Sequence, residues 1–138
     1  MKTHLFAAAV SAAALAVAGA ASAETQTYAA TLAAPAGVAS PGKGTGTFTY
    51  DTATKALTYK VDYSGLTGPA TMAHIHGPAE PGANAGVLVP FPTVANPFSG
   101  TATLTDEQAA ALTAGKTYVN IHTAANRGGE IRGQITRK

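Results

Sequence analysis

Alternation of apolar and polar side chains, with a period of two residues, is the dominant pattern of this chain. In residues 57–63, Leu, Tyr, Val and Tyr fall on one face of an extended segment, and Thr, Lys and Asp fall on the other. This pattern is typical of a half-buried β-strand. Similar segments, bounded by Gly- and Pro-rich turns, predict further strands at residues 25–32, 44–50, 70–76, 86–89, 100–104, 116–122 and 130–136. We therefore expect an all-β fold, an antiparallel β-sandwich or barrel of about eight short strands.

One segment breaks this alternation and predicts a helix. Thr105 and Gln108 stand three residues apart, as in a capping box, where each side chain accepts a hydrogen bond from the other residue's backbone N–H. The Ala-rich run that follows favours a helix, and Gly115 is a typical residue to end it. We expect one short helix, from Asp106 to Ala114. Residues 77–85 and 90–99 are Pro-rich, and we expect them to form ordered surface loops.

The first residues have the pattern of a secretory signal. Lys2 supplies a positive charge, an apolar run follows over residues 5–20, and residues 21–23 (Ala-Ser-Ala) provide a small-x-small cleavage site. The run is short and rich in Ala rather than Leu, which favours cleavage over retention as a membrane anchor. We therefore predict a signal peptide at residues 1–23, a single mature domain at residues 24–138, location in the periplasm or the medium, and no membrane partner after cleavage.

Composition and charge exclude several classes of protein. A chain of 138 residues is too short for a large enzyme built on an (α/β)-barrel or a doubly wound sheet. The expected mature segment has eight Lys and Arg against seven Asp and Glu, without a basic stripe, which argues against a nucleic-acid partner. The chain has no cysteine, so it offers neither a disulfide nor a thiol for lipidation.

Candidate chemistry begins with a pair of histidines. His74 and His76 are two residues apart in a predicted strand, so their imidazoles leave the same face, with Cα atoms about 6.5 to 7 Å apart. This spacing allows both rings to chelate one metal ion.

Two further segments place polar groups on a common face. In residues 118–123 and 129–135 the alternation directs Val119, Ile121, Ile131 and Ile135 to the core. The opposite face then carries Tyr118, Asn120, His122, Glu130, Arg132 and Gln134. If residues 123–129 form a symmetric hairpin loop, His122 lies opposite Glu130 and Asn120 lies opposite Arg132, within cross-strand contact distance.

Together these segments resemble a known family. Five segments stand in an order that resembles that of a CHRD domain. They are residues 73–79 (Ala-His-Ile-His-Gly-Pro-Ala), a later Gly-Val-Leu segment, the capped helix, residues 118–123 (Tyr-Val-Asn-Ile-His-Thr) and residues 129–134 (Gly-Glu-Ile-Arg-Gly-Gln). That family is named for chordin, and the resemblance covers nearly all of the expected mature chain. It implies an extracytoplasmic β-domain without an established reaction, and the growth-factor partners of chordin do not transfer to a bacterial single-domain protein. Arg127 departs from the family pattern, where we expect Pro or another small turn residue, and this departure concerns the loop rather than the strands.

The histidines suggest a metal site. After cleavage removes His4, the three remaining histidines all lie in these motifs. We interpret His74, His76 and His122 as ligands of one ion, with Glu130 as a fourth ligand or as the acceptor that fixes the tautomer of His122.

Neighbouring residues bear on the identity of the metal. Met72 lies on the same strand face as His74 and His76 and is a candidate additional ligand, while Asn120 and Arg132 are expected to surround the ligands. A thioether beside three imidazoles, with no thiolate, favours copper, which also heads the affinity order of nitrogen sites; zinc is the second choice. We interpret the function as storage, delivery or sensing of the ion rather than turnover.

Two alternatives stay open at this point. The first is a metal-free structural or adhesive module, in which His122 and Arg132 pair with Glu130 and the Pro-rich loops bind an unknown protein or glycan. The second is a copper enzyme similar to the copper half of copper-zinc superoxide dismutases, in which Arg132 attracts the anionic substrate. The chain lacks the zinc-loop histidines and the cysteine pair of those enzymes, so we lean away from an enzyme.

Overall fold

The computed structural model describes residues 23–138, and the predicted signal peptide, apart from its last residue, lies outside the described residues. In the described part of the chain the elements are β1 (Thr25–Ala33), β2 (Lys43–Asp51), β3 (Ala56–Ser64), β4 (Ala70–His76), β5 (Val87–Pro90), β6 (Phe98–Thr103), α1 (Asp106–Thr113), β7 (Tyr118–Thr123), β8 (Ile131–Gln134) and β9 (Thr136–Arg137). None of the helices in this part is long and apolar enough to cross a bilayer.

The strands form one antiparallel sheet that curls into a nearly closed barrel or sandwich. Their order is β5-β4-β7-β8-β1-β2-β3-β6, and β9 pairs with β1. The predicted all-β antiparallel fold with one short helix is therefore confirmed. The predicted last strand is divided into β8, which pairs with β7, and β9, which pairs with β1. Between them, the backbone N–H of Ile135 donates to the Thr117 carbonyl.

The period-two pattern explains strands β2 and β3. In β2, the alternate residues Thr45, Thr47 and Thr49 are exposed, whereas Phe48 and Tyr50 are buried. Strand β3 continues the same inner face, and Phe48 lies directly opposite its Tyr59. The inner faces of the curled sheet thus form one apolar core, the main source of stability in a chain without disulfides.

Helix α1 forms at the predicted place and closes one end of this core. Thr105 accepts a hydrogen bond from the Gln108 backbone, and the Gln108 side chain accepts one from the Thr105 N–H, which is the predicted capping box. Ala109 and Leu112 are buried against the core. The helix ends at Thr113, and Gly115 follows with a φ of 72°.

Strand β7 differs from β2 and β3 because both of its faces are buried. Val119 and Ile121 are fully buried on the core side, while Asn120 and His122 are also buried on the opposite side. Two loops cover that second face, residues 77–86 and residues 124–130, and their contacts with it are described below. The candidate site therefore lies outside the apolar core, in a layer between the sheet and these loops.

Candidate metal centre

The three histidines converge because β4 and β7 are neighbours in the sheet. In this antiparallel pair Met72 lies opposite His122, and His74 lies opposite Asn120. Nitrogen atoms of His74, His76 and His122 all lie within 4.8 Å of one another. His74 Nδ1 and His122 Nε2 are 3.1 Å apart. The structure thus brings together the three histidines that the sequence singled out.

Backbone carbonyls orient two of the rings. His122 Nδ1 lies 2.7 Å from the Arg127 carbonyl oxygen, and His76 Nδ1 lies 3.0 Å from the Ala85 carbonyl oxygen. A carbonyl only accepts hydrogen bonds, so each Nδ1 carries the hydrogen, and in a neutral ring Nε2 then keeps a free lone pair. Metal-ligating histidines use this same arrangement, in which the second nitrogen donates to a carbonyl.

One of these lone pairs has no partner. His76 is 8% exposed, and its Nε2 makes no hydrogen bond with any described residue. A buried polar atom without a partner is destabilising by about 1 to 3 kcal/mol, so such an atom calls for an explanation. A metal ion bound at the neighbouring nitrogens would satisfy it.

The distances suit one ion with a small adjustment. An ion about 2.0 to 2.1 Å from each nitrogen, in tetrahedral geometry, places the nitrogens about 3.3 Å apart. His74 Nδ1 and His122 Nε2 are already near that separation at 3.1 Å, and the remaining pairs, which lie within 4.8 Å, would have to close by at most about 1.5 Å. The His74 proton that now lies between these two rings would move to the outer nitrogen of His74.

Protonation also favours a ligand role. Burial lowers the pKa of His74, and the neighbouring His122 and His76 lower it further. Burial likewise lowers the pKa of His76, against the hydrogen bond to Ala85, which raises it. Both rings are therefore neutral, and able to offer a lone pair, over a wider pH range than free histidine.

Arg132 and Tyr118 support the histidine layer from the side. The guanidinium of Arg132 lies 3.6 Å above the Tyr118 ring and donates to Asn84 Oδ1 and to the Ala83 carbonyl. The Tyr118 ring in turn stacks on His76, with a centroid distance of 5.1 Å and an interplanar angle of 8°. The donors of Arg132 therefore hold loop 77–86, and its charge also acts on His76, whose pKa it lowers.

Asn120 has a similar role on the other loop. It lies opposite Arg132, as the symmetric hairpin predicted, and its Nδ2 donates to the Gly128 carbonyl at 2.9 Å. Its Oδ1 is buried and has no partner among the described residues. Asn120 and Arg132 therefore hold the two covering loops in place around the histidines.

The structure corrects the prediction for Glu130. This carboxylate is fully buried, and it accepts hydrogen bonds from Ser40 Oγ at 2.7 Å, from the Thr67 backbone N–H at 2.8 Å and hydroxyl at 2.6 Å, and from Thr123 Oγ1 at 2.9 Å. It belongs to no group with the histidines, and the Arg127 carbonyl takes the place beside His122 Nδ1 that was predicted for it. The predicted network of His122 and Arg132 around Glu130 is therefore wrong.

The cause of this difference is the backbone at Gly129. Its φ is 118°, a left-handed value that favours glycine, and β8 begins only at Ile131. The strand alternation therefore does not extend back to Glu130, whose side chain joins that of Thr123 rather than that of His122. Burial by itself would raise the pKa of Glu130, but the hydrogen bonds from Thr67, Ser40 and Thr123 outweigh it and lower the pKa to about 2.

Met72 stands at an open side of the site. It is 52% exposed, and together with Thr71, His122, Thr123, Ala124 and Arg127 it lines a pocket of about 300 Å³. The side chain of Met72 is thus accessible from outside, beside one of the three histidines.

Several contributing groups carried no signal in the sequence. The carbonyls of Ala85 and Arg127 act through the backbone, so their residue types do not reveal them. Ser40 and Thr67 are ordinary loop residues far from Glu130 along the chain. Only the loop conformations bring these groups to their partners.

Comparison with known proteins agrees with this architecture. A family model described as the CHRD domain matches residues 18–135, which include every element from β1 to β8. No curated protein and no solved structure matches the chain.

Proposed function

The chain belongs to the CHRD domain family, and on that premise we propose that its β-domain binds a transition metal ion, copper, through His74, His76 and His122. The observation that carries this proposal is the buried Nε2 of His76, which has no hydrogen-bond partner among the described residues and belongs to a cluster of three imidazoles. Structural polar networks normally satisfy such an atom.

The choice of copper follows from the donors. Three imidazoles without a thiolate suit copper or zinc, and copper binds nitrogen sites more tightly than zinc does. The exposed thioether of Met72, directly across the strand pair from His122, adds a soft donor that suits reduced copper. Zinc is the second metal to be compared.

We further propose storage, delivery or sensing of the ion rather than turnover. The site is at the periphery of the barrel, His74 is partly exposed, and Met72 opens to solvent beside it. An ion at this position exchanges with a partner more readily than an ion inside the core.

Calorimetric titration with Cu(II) and Zn(II) tests this proposal. The double change His74→Ala and His76→Ala should abolish tight binding, because one imidazole cannot chelate. His122→Ala should weaken binding by orders of magnitude while the fold is retained. The wild type should bind copper more tightly than zinc. Apparent affinity should fall with acid as protons compete for the nitrogens, and this fall should begin at a lower pH than for free imidazole, because the pKa values of His74 and His76 are lowered.

Two variants separate the roles of neighbouring residues. Met72→Leu keeps the volume of the side chain and removes the sulfur, so we expect it to weaken Cu(I) binding more than Cu(II) binding. Glu130→Gln should leave copper affinity at the wild-type value, because Glu130 lies outside the histidine group. Equal, weak copper binding by the wild type and the double variant would contradict the metal proposal.

A metal-free structural or adhesive module is the second candidate. It is favoured by the hydrogen bond between His74 and His122 and by the carbonyl partners of His76 and His122, which already join the sheet to its loops. On this alternative, His122→Ala lowers thermal stability and the wild type does not bind copper tightly.

Export to the periplasm or the medium remains part of the proposal. It rests on the leader-like pattern of residues 1–23, with cleavage after Ala23. Mass spectrometry of protein recovered from outside the cytoplasm should then give a chain that begins at Glu24. Membrane-bound material that retains Met1 would contradict it.

A further inference from the structure

A polar pocket next to the two covering loops carries a further inference, which does not depend on metal binding. Its volume is about 570 Å³, within the range of about 300 to 1,000 Å³ that is typical of small-molecule sites. Its walls come from the segment that follows β1, from loop 77–86, from loop 124–130 and from β8. None of the three histidines lines it. The pocket is therefore a separate place in the domain where a ligand can bind.

Four polar side chains line this pocket, and the hydrogen bonds they make determine which of their atoms remain free. Arg132 donates to Asn84 Oδ1, so the amide nitrogen of Asn84 is the free end, without a partner among the described residues. Asn126 donates through Nδ2 to Glu130 Oε1, and Gln134 donates through Nε2 to two backbone carbonyls. The carbonyl oxygens of these two side chains have no partner within residues 23–138. The lining thus carries free donors and free acceptors.

The guanidinium of Arg132 adds further free donors. Arg132 is on β8 and Asn84 is on loop 77–86, and the polar ends of these two lining residues meet at 2.9 Å. A second guanidinium nitrogen donates to the Ala83 carbonyl at 2.8 Å. Because a guanidinium has five N–H groups, the group at Nε and one on each outer nitrogen remain free. Arg132 can therefore donate to a ligand without leaving its place over Tyr118.

Charge favours a neutral ligand. Arg132 is the one charged side chain of the lining, and the ionised carboxylate of Glu130 lies just behind the wall, 3.4 Å from Asn126 Nδ2. One positive and one negative charge leave no excess of positive charge to hold an anion. No acidic or aromatic side chain lines the pocket, so it offers no carboxylate to a cation and no ring on which a nucleobase stacks.

Hydroxyl groups complement this lining, because each of them both donates and accepts. Aliphatic residues such as Pro35, Val38 and Pro81 form much of the remaining wall, which suits C–H groups between the hydroxyls. A peptide would pair with a free strand edge, but β8 already lies between β7 and β1. We infer that this pocket binds a neutral sugar ring, whose hydroxyl groups bond to Arg132, to Asn84 and to the two free amide oxygens.

Proton–nitrogen correlation NMR of the isotope-labelled protein tests the inference, since the side-chain amides of Asn84, Asn126 and Gln134 give signals of their own. Glucose, galactose, mannose and N-acetylglucosamine are titrated into the wild type, Asn84→Ala and Glu80→Gln. Glu80→Gln is the matched control, because it changes an exposed residue of the same loop that does not line the pocket. Asn84 is exposed, so Asn84→Ala should fold, and thermal unfolding checks this first.

The expected result is a saturable shift of the three side-chain amide signals with at least one of these sugars. Asn84→Ala should raise the dissociation constant by about threefold to tenfold, the effect of one lost hydrogen bond, and Glu80→Gln should match the wild type. Cellotriose and chitotriose repeat the rings of glucose and N-acetylglucosamine. A trisaccharide that binds more tightly than its single ring indicates a glycan as the source, and equal affinities indicate one ring.

Three outcomes would overturn the inference. They are no shift at the pocket with any of these sugars, equal affinity of the wild type and Asn84→Ala, and shifts produced by trialanine but by none of the sugars. Copper binding is measured separately, so each of these results leaves the proposed metal site untouched.

Discussion

Replacing Glu130 by Gln should destabilise the domain by about 2 to 4 kcal/mol, although no function is assigned to that residue. The side chain keeps its size in this variant, so packing is preserved and only charge and hydrogen bonding change. The Thr67 backbone N–H, which donates to Oε2 at 2.8 Å, cannot reverse its role. On the other side of the carboxylate, Asn126 Nδ2 lies 3.4 Å from Oε1, so the NH₂ of a Gln side chain faces an N–H donor in either orientation and leaves buried polar groups without partners.

The lowered pKa of Glu130 expresses the effect of the same hydrogen bonds on the ionised carboxylate. It is lowered from 4.5 to about 2, because the hydrogen bonds from Thr67, Ser40 and Thr123 more than offset the effect of burial. The difference of about 2.5 pH units corresponds to about 3 kcal/mol of stabilisation by the ionised form. Since the folded pKa is the lower one, this stabilisation is complete above about pH 4.5 and is lost as the pH falls from 4.5 towards 2.

Urea unfolding, followed by circular dichroism or tyrosine fluorescence, measures both effects. Wild type and Glu130→Gln are compared at pH 6 and at several values down to pH 2.5, and the difference in their free energies of unfolding should shrink as the pH falls. Glu80→Gln is the matched control, because Glu80 is largely exposed and its contact with Lys116 is 3.6 Å long; we expect it to change stability by less than about 1 kcal/mol. A Glu130→Gln variant as stable as the wild type at pH 6, or a difference that does not depend on pH, would refute this reasoning.

Two further predictions concern the sheet and its hairpin. Ile121→Asp should unfold the domain, because it buries a carboxylate at a position with 0% exposure, whereas Thr136→Asp, at an exposed position in β9, should be mild; thermal unfolding compares the two. Gly129→Ala should destabilise the domain by about 1 to 3 kcal/mol, because its Cβ would lie 1.8 Å from Asn120 Oδ1 and its φ is 118°. Gly128→Ala is the control, since a Cβ at that position has free space around it. Equal melting temperatures for the two variants would contradict the prediction and show that the loop relaxes.

Much of the fold was predictable because its signals are local. The alternation in β2 and β3 reports which residues face the core, and the Thr105–Gln108 box reports where the helix begins. The convergence of the histidines was predictable in part, because a pair two residues apart in a strand must share a face. The placement of His122 beside that pair needed the β4–β7 pairing, which no local pattern specifies.

The sequence by itself determined the strands, the helix cap, the polar face and the three histidines, since each depends on side-chain spacing within one short segment. Only the tertiary structure decided the partners of those side chains. The left-handed Gly129 turns Glu130 away from His122, towards Ser40 and Thr67 from distant loops, and the Arg127 carbonyl takes its place. The physical reason is that a buried polar group bonds to whichever donors and acceptors the folded loops bring within about 3 Å, and backbone carbonyls, which every residue carries, leave no mark in the sequence.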